Sequence, residues 1–231
     1  NKLQVGRSVY DFYMKEWAGV DPDNGNPLWY MDEVDANDNP TGKRVTTSDY
    51  ASANYYYVNK SSLPKVYGGF NTSLSWKGFD LSAIFAYSIG GYIYNRDITM
   101  ILHNGSLEGR DWSTEILRRW TPENRYTDVP ALSTTSNNWN SASTRFLQNN
   151  SYMRLKNLTL SYNLPKQLIS KLALSSVQVF VQGDNLFTIH RNQGLDPEQG
   201  ITGITYYRYP AMRTISGGIN PVSYTHLTLP T

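Results

Sequence analysis

The sequence has 231 residues, of which 39% are hydrophobic, and a net charge of +2. That small charge, without a cluster of lysine and arginine, argues against nucleic-acid binding. The absence of cysteine excludes disulfides and cysteine-bearing zinc sites, and the apolar runs are too short for a membrane-spanning helix.

The first sixty residues combine weak strand signals with turns. Residues 5–13 alternate weakly between apolar and polar side chains and predict an entering strand. Residues 28–30 predict a short strand after the turn-rich stretch 20–27. Residues 54–57, an asparagine followed by three tyrosines, begin either a strand or a binding loop.

Residues 32–39 gather acidic and amide side chains, which are the oxygen ligands that a calcium loop uses. A calcium loop between two helices requires glycine at its sixth position and glutamate at its twelfth. Counted from Asp35, these positions hold Pro40 and Thr46. We therefore expect a solvated loop and no metal site.

Residues 66–94 predict a β-hairpin with Lys77 and Gly78 as its two-residue turn. Antiparallel partners follow directly from that turn. One face is apolar except for Thr72 and carries the pairs Trp76 with Phe79, Leu74 with Leu81, Thr72 with Ala83, and Phe70 with Phe85. The other face is polar or small except for Ile84 and carries the pairs Ser75 with Asp80, Ser73 with Ser82, Asn71 with Ile84, and Gly69 with Ala86. Each arm has the period of two that is typical of a half-buried strand.

The second arm of this hairpin is long. Apolar residues recur at every second position for about fifteen residues, whereas globular strands usually have about five or six residues in all. A tilted strand needs roughly nine to eleven residues to cross a bilayer. Trp76 and Phe79, beside the turn, stand where a barrel carries an interfacial aromatic girdle. The hairpin therefore predicts one face toward outer-membrane lipid and a polar face toward a lumen.

Residues 95–144 carry little strand signal. Such a long connection is uncommon in a compact soluble domain, but outer-membrane barrels combine short turns at one end with long loops at the other. Within this stretch, Ser113 predicts the cap of a short helix. Ile116, Leu117 and Trp120 are expected to form the apolar face of that helix.

Strand signals return at residue 152. Residues 157–162 alternate cleanly between apolar and polar side chains. Met153 and Leu155 have the opposite parity, which predicts a bulge near Lys156.

The remaining signals complete an all-β chain of about six or seven antiparallel strands. Residues 177–189 and 207–219 predict two strands, and residues 167–174 predict a helical turn. In the second strand, Arg213 is a charged residue at a position where the alternation calls for an apolar one. Closure around an open lumen takes at least eight strands. We therefore predict part of a large transmembrane β-barrel with long extracellular loops.

Seven segments match a known family in the same order along the chain. They are YGGFN at 67–71, WKGFDL at 76–81, RWTPEN at 119–124, SYMRLKNLTLSYNLP at 151–165, GDNLF at 183–187, GLDPE at 194–198 and YP at 209–210. Together they resemble the C-terminal barrel of the SusC/RagA family of TonB-dependent outer-membrane transporters. The segments at 151–165 and 194–198 are the most specific.

This resemblance implies an outer-membrane barrel of about twenty-two strands with an N-terminal plug, which imports glycans or peptides with energy from TonB. It also implies a SusD-like lipoprotein that covers the extracellular side of the barrel. The plug, the segment that contacts the TonB complex and the signal peptide are expected upstream of Asn1. No cofactor is expected.

Two features depart from the family pattern. Residues 35–40 lack the two glycines that the family often carries in this acidic loop, and the chain continues beyond residue 220, where family members soon end on an aromatic residue. We therefore expect residues 1–220 to be the C-terminal barrel segment of a receptor. Residues 221–231 are expected to be a non-native tail.

The sequence offers little support for catalysis. His103, His190 and His226 are scattered along the chain. Asp196 and Glu198 lie two residues apart, whereas glycosidase carboxylates flank a substrate from opposed positions. We expect no catalytic residue, no enzymatic activity, and a loop-structuring role for Asp196.

Aromatic side chains in loop-like segments are the candidate substrate contacts. We predict that Trp112, Trp139, Tyr55 and Tyr56 stack on an oligosaccharide or contact a peptide; the alternative is that loop aromatics pack locally. An alternative function also stays open at this point, a soluble secreted β-sandwich carbohydrate-binding module or adhesin. Such a sandwich would bury the apolar face of the hairpin under a second sheet.

Overall fold

The computed structural model describes residues 2–105, 109–133, 138–170, 174–194, 196–198, 200–205 and 207–223. The chain divides into two compact units. The sheet unit comprises Lys65–Ile89, Ser151–Pro197 and Tyr209–Thr231, and the loop unit comprises Asn1–Pro64, Gly90–Asn150 and Glu198–Arg208. Among the described residues, no helix is long and apolar enough to cross a membrane.

The predicted all-β class is confirmed. The strands in chain order are β1 (Asp11–Lys15), β2 (Trp17–Val20), β3 (Pro27–Val34), β4 (Pro40–Thr47), β5 (Tyr55–Ser61), β6 (Val66–Trp76), β7 (Phe79–Ile89), β8 (Tyr92–Tyr94), β9 (Leu147–Asn149), β10 (Tyr152–Asn163), β11 (Ser176–His190) and β12 (Thr214–Val222). The helices are α1 (Arg96–Ile101), α2 (Lys166–Ile169) and two 3-10 helices at Thr114–Arg118 and Thr144–Phe146. The described residues form twelve strands, more than the six or seven predicted. β2, β8 and β9 are too brief to show alternation, and the eight residues of β4 do not alternate between apolar and polar side chains.

The sheet unit is a five-stranded antiparallel sheet with the strand order β12, β11, β10, β7, β6. β6 and β7 have 11 residues each, β10 has 12 and β11 has 15. All four exceed the usual length of a globular strand. Each is also long enough to cross a bilayer when tilted.

The predicted hairpin is confirmed residue by residue in β6 and β7. Trp76 pairs with Phe79, and the register continues without interruption along both strands. Lys77 and Gly78 form the turn, with φ angles of +47° and +88°. A type I′ turn needs positive φ at both central residues, and its twist matches that of the flanking strands.

The predicted bulge near Lys156 is also present. Where β10 pairs with β7, the register shifts between Leu155 and Asn157. One extra residue in a strand moves every following side chain to the opposite face. Met153 and Leu155 therefore share the apolar face with Leu158.

The loop unit contains three small sheets. β1 pairs with β5, β2 to β4 form a meander, and β8 pairs with β9. The described part of residues 95–144 holds no strand, as predicted. Asn95 caps α1 by accepting from the Ile98 N–H at 3.1 Å. Ser113 likewise accepts from the Glu115 N–H at 3.3 Å, so the predicted cap is confirmed.

Large aromatic side chains form much of the core of the loop unit. Trp29 and Trp139 are fully buried. Trp139 packs with Ile116 and Val129 in one apolar cluster. The apolar face predicted for the short helix is right for Ile116 and wrong for Leu117, which is 74% exposed. The segment is a 3-10 helix with three residues per turn, so the spacing of an α-helix does not apply.

Several predicted boundaries change. The first strand begins at Asp11 rather than at residue 5. The last strand begins at Thr214, so Arg213 precedes it and is no exception to its alternation. The predicted helical turn corresponds to α2, while residues 171–173 lie outside the described residues.

Gly78→Val is expected to lower the free energy of unfolding by about 1–2 kcal/mol, because a left-handed backbone disfavours side chains with a Cβ. That Cβ would also lie 3.2 Å from Tyr162 Cε2. Lys77→Asn is the control and should leave stability unchanged or slightly higher, since asparagine adopts positive φ more readily than lysine does. Urea unfolding followed by circular dichroism measures both variants. Equal losses in the two would contradict the turn assignment.

Candidate functional site

Two adjacent rows of cross-strand neighbours define the faces of the five-stranded sheet. One row is apolar or small across all five strands and consists of Leu74, Leu81, Leu160, Val181 and Gly217. The next row points to the opposite face and is polar throughout, consisting of Ser73, Ser82, Thr159, Gln182 and Ser216. Because side chains alternate along each strand, the sheet has one apolar and one polar face.

The apolar face is exposed. Leu74 is 66% exposed, Val181 56% and Ile215 73%. Aromatic rings also stack on this face, and the ring centroids of Phe70 and Phe85 lie 4.7 Å apart. A large exposed apolar surface marks contact with lipid or with another protein. The apolar face predicted for the hairpin thus extends over the whole sheet.

Polar side chains on the opposite face are linked across the strands. Asp80 accepts from Ser75 Oγ at 2.5 Å and from Asn163 Nδ2 at 2.8 Å. Asp184 accepts from Asn157 Nδ2 at 2.8 Å. These bonds satisfy the carboxylates while the face stays hydrophilic.

A buried ion pair lies near the end of the sheet opposite the Lys77 turn. Arg154 Nη2 contacts Asp196 Oδ1 at 2.5 Å, and the two side chains are only 3% and 7% exposed. Arg154 Nε also donates to Thr188 Oγ1 at 2.8 Å. Asp196 Oδ2 accepts from the Ala211 N–H at 2.6 Å. The pair ties the loop after β11 and the segment before β12 to β10, which fits the loop-structuring role predicted for Asp196.

The loop unit contains an open cleft of about 780 Å³. Its lining includes the aromatic side chains of Trp17 and Tyr126 and the guanidinium groups of Arg118 and Arg125. Arg118 forms an ion pair with Asp128 at 3.3 Å, and Arg125 forms one with Asp23 at 2.6 Å. A concave surface with aromatic walls and a few polar groups is typical of a ligand site.

Three of the four predicted substrate contacts lie at positions accessible to solvent. Tyr55, 50% exposed, and Tyr56 lie in β5 rather than in a loop. Tyr56 donates its hydroxyl hydrogen to Asp32 Oδ1 at 2.8 Å. Trp112 is 45% exposed and donates from Nε1 to His103 Nδ1 at 3.2 Å. Substrate contact by these three residues stays a prediction.

Trp139 is fully buried, so its ring has no face for a ligand. The guanidinium of Arg145 lies 5.1 Å from the centroid of this ring. Burial lowers the pKa of Arg145 to about 10. The role predicted for Trp139 is therefore corrected to that of a core residue, because the loop packs around its own side chains.

The structure does not gather the predicted aromatic residues at one place. Tyr55 stacks on Tyr13 with 5.6 Å between ring centroids, whereas Trp112 has no such ring contact with either predicted tyrosine among the described residues. The cleft in the loop unit is lined instead by Trp17 and Tyr126. Isolated aromatic residues give no periodic signal, so sequence patterns did not single out this cleft.

The acidic loop between β3 and β4 is a hydrogen-bonded turn. Asp35 Oδ1 accepts from the Asn39 N–H at 3.0 Å and from the Asn37 N–H at 2.8 Å. These two backbone hydrogen bonds lower the pKa of Asp35, and the bond from Asn39 has the larger effect. Within the described ranges, no group of three or more histidine or acidic side chains is placed to hold a metal ion.

Comparisons with known proteins agree with one another. The chain is 30% identical over 233 residues to TonB-dependent receptor P3 of Formosa agariphila, covering 94% of this chain and 22% of that protein. It is 29% identical over 220 residues to TonB-dependent receptor SusC of Bacteroides thetaiotaomicron, covering 94% of this chain and 20% of that protein. The chain thus spans about a fifth of the length of these curated relatives. No protein-family model matches the chain.

Solved structures are also similar. The RagAB peptide transporter matches with a TM-score of 0.77 and 36% identity, covering 91% of this chain and 22% of that chain. The RagAB peptide importer in its open-open state matches with a TM-score of 0.78 and 34% identity, covering 91% of this chain and 22% of that chain.

Arg154→Ala is expected to lower the free energy of unfolding by about 3–5 kcal/mol, because it leaves the buried Asp196 carboxylate without its ion-pair partner. Arg118→Ala removes exposed ion pairs and should cost at most about 1 kcal/mol. Urea unfolding of both variants makes the comparison. A small loss for Arg154→Ala, similar to that of the control, would refute the structural role of the pair.

Proposed function

Because the chain belongs to the SusC/RagA-like TonB-dependent receptors, we propose that it serves in an outer-membrane importer that draws energy through TonB. The chain covers about a fifth of its relatives. Import activity, substrate and partners are therefore proposed for a whole receptor of this kind. The relatives are named receptors and transporters, in keeping with the expectation that the protein is not an enzyme.

The two-faced sheet is the observation that carries this proposal. Its apolar rows are exposed, and its long strands match the roughly nine to eleven residues that a tilted strand needs to cross a bilayer. An unpaired strand edge is not tolerated in lipid, so a membrane-embedded sheet must close on further strands. Both arguments support a place in a barrel wall, with the polar face toward the lumen.

The lengths of the connections support an orientation. β6 and β7 are joined by Lys77 and Gly78, whereas residues 191–213 join β11 to β12 at the other end of the sheet. Outer-membrane barrels have short turns in the periplasm and long loops outside the cell. We assign the Lys77 end to the periplasm and the Arg154 end to the cell exterior.

We further propose that the receptor imports an oligosaccharide or a peptide with a SusD-like lipoprotein on its extracellular side. One structural relative is named as a peptide transporter. The open cleft of the loop unit, with Trp17 and Tyr126 in its lining, supports substrate contact there. Tyr55, Tyr56 and Trp112 stay candidate contacts.

The proposed division of the chain is a barrel segment at residues 1–220 and a non-native tail at 221–231. Pro221 and Val222 extend β12 and pair with Val177 and Ser176. Residues 224–231 lie outside the described residues. Mass spectrometry of the protein from its native host tests whether peptides from this tail are present.

Co-purification from outer membranes tests the function. The complete receptor gene is expressed with its upstream coding region, outer membranes are isolated, and the receptor is captured by an affinity tag. We expect it in the membrane fraction together with a SusD-like lipoprotein. Recovery as a soluble secreted monomer would instead favour the binding-module alternative.

Phe85→Lys is expected to block assembly of the receptor into the outer membrane, because a lysine facing lipid near the bilayer centre costs about 2–4 kcal/mol. Ser82→Lys, on the polar face of the same strand, is the control and should assemble normally. The amount of folded, heat-modifiable receptor in isolated outer membranes measures both. Equal effects would refute the assignment of the lipid face.

A further inference from the structure

The outer end of the apolar face carries a groove of about 460 Å³, which we call the rim groove. Tyr87, Ile89, Met153, Ile189 and Arg191 belong to its lining. We infer that the rim groove binds a membrane lipid with acyl chains and an anionic phosphate head group. This inference rests on the proposed place of the sheet in the outer membrane.

Cross-strand register explains how the rim groove forms. Tyr87, Met153 and Ile189 are direct neighbours across β7, β10 and β11 and form its floor. Ser151, just outside β10, also lines the groove together with Ile89 and Arg191. Tyr152 pairs with Ser88 and with His190, so continuing that register by one residue places Ser151 between Ile89 and Arg191. A small residue between two large ones leaves a hollow at the surface of the sheet.

The Tyr87 ring extends toward β6. A Cβ atom added to Gly68 would lie 3.0 Å from the Tyr87 hydroxyl oxygen, so the glycine leaves the space that this ring occupies. Ile89 and Ile189 are 52% and 61% exposed, so they present apolar surface at the groove. The floor is thus suited to hydrocarbon chains and continues directly into the apolar face of the sheet.

A positive charge lies at the rim. Arg191 follows the last residue of β11 and is exposed, and it takes part in none of the ion pairs among the described residues. No carboxylate is among the described residues that line the groove. A guanidinium binds phosphate with paired N–H donors, so Arg191 complements an anionic head group.

The position of this charge favours a lipid over other occupants. The groove lies at the end of the strands that we assign to the cell exterior, where the apolar face meets water. Acyl chains on the floor would place a phosphate at the height of Arg191, much as basic residues near a membrane surface attract anionic lipids. A soluble anion would gain nothing from the apolar floor.

Native mass spectrometry of the complete receptor in detergent tests the inference. The probes are dipalmitoylphosphatidylglycerol, dipalmitoylphosphatidylcholine with the same chains and no net charge, and glycerol phosphate without chains. We expect the receptor to retain phosphatidylglycerol in preference to the other two. Arg191→Gln should reduce that retention roughly five-fold, whereas Arg191→Lys, which keeps the positive charge but loses the paired donors, should reduce it less. Lys77→Gln, which removes a cation at the opposite end of the sheet, should have no effect.

The outcomes separate this inference from the proposed function. Equal retention of both lipids, unchanged by Arg191→Gln, would mean unspecific lipid contact and overturn the site. Equal retention of glycerol phosphate and phosphatidylglycerol would mean an anion site without a role for the groove, and overturn it too. Either result leaves the membrane location intact. Absence of the wild-type receptor from outer membranes would remove both proposals.

Discussion

The cross-strand register of the five-stranded sheet is the constraint on which the rest of the molecule depends. Side chains alternate with a period of two, so a slip of one residue would move all apolar side chains of a strand to the polar face. The turn at Lys77 and Gly78 sets the register of β6 against β7. The bulge near Lys156 restores the apolar parity where β10 changes its alternation. The two opposite faces follow from these two features.

The sheet also holds part of its connections in place through buried polar contacts. The ion pair of Arg154 and Asp196 is removed from water, which is costly unless further hydrogen bonds satisfy both groups. Thr188 and the Ala211 backbone supply such bonds. Residues of the loop after β11 are therefore fixed to a strand that is itself fixed in the sheet. Rigid strands with loops held at their ends are a common way to position binding residues.

Sequence patterns predicted the sheet unit far better than the loop unit. The register of β6 with β7 and the bulge in β10 could be predicted because alternation and turn chemistry are local properties of the chain. Trp139 was assigned to substrate contact from its residue type and its loop-like surroundings. Its burial depends on Ile116 and Val129, which lie 23 and 10 residues earlier in the chain, and no local pattern reports that packing. Leu117 was misplaced for a related reason, since a 3-10 helix and an α-helix present different faces.

By itself, the sequence determined the strand class, the pairing of the hairpin and the family, because these depend on periodicity and on motifs read along the chain. Only the tertiary structure decided which side chains that are far apart in sequence come into contact. Arg154 and Asp196 are 42 residues apart yet form a buried pair, and Arg191 joins Ile89 in the lining of the rim groove. The physical reason is that alternation assigns a residue to a face of the sheet, whereas its neighbours on that face depend on how the long connections return the chain.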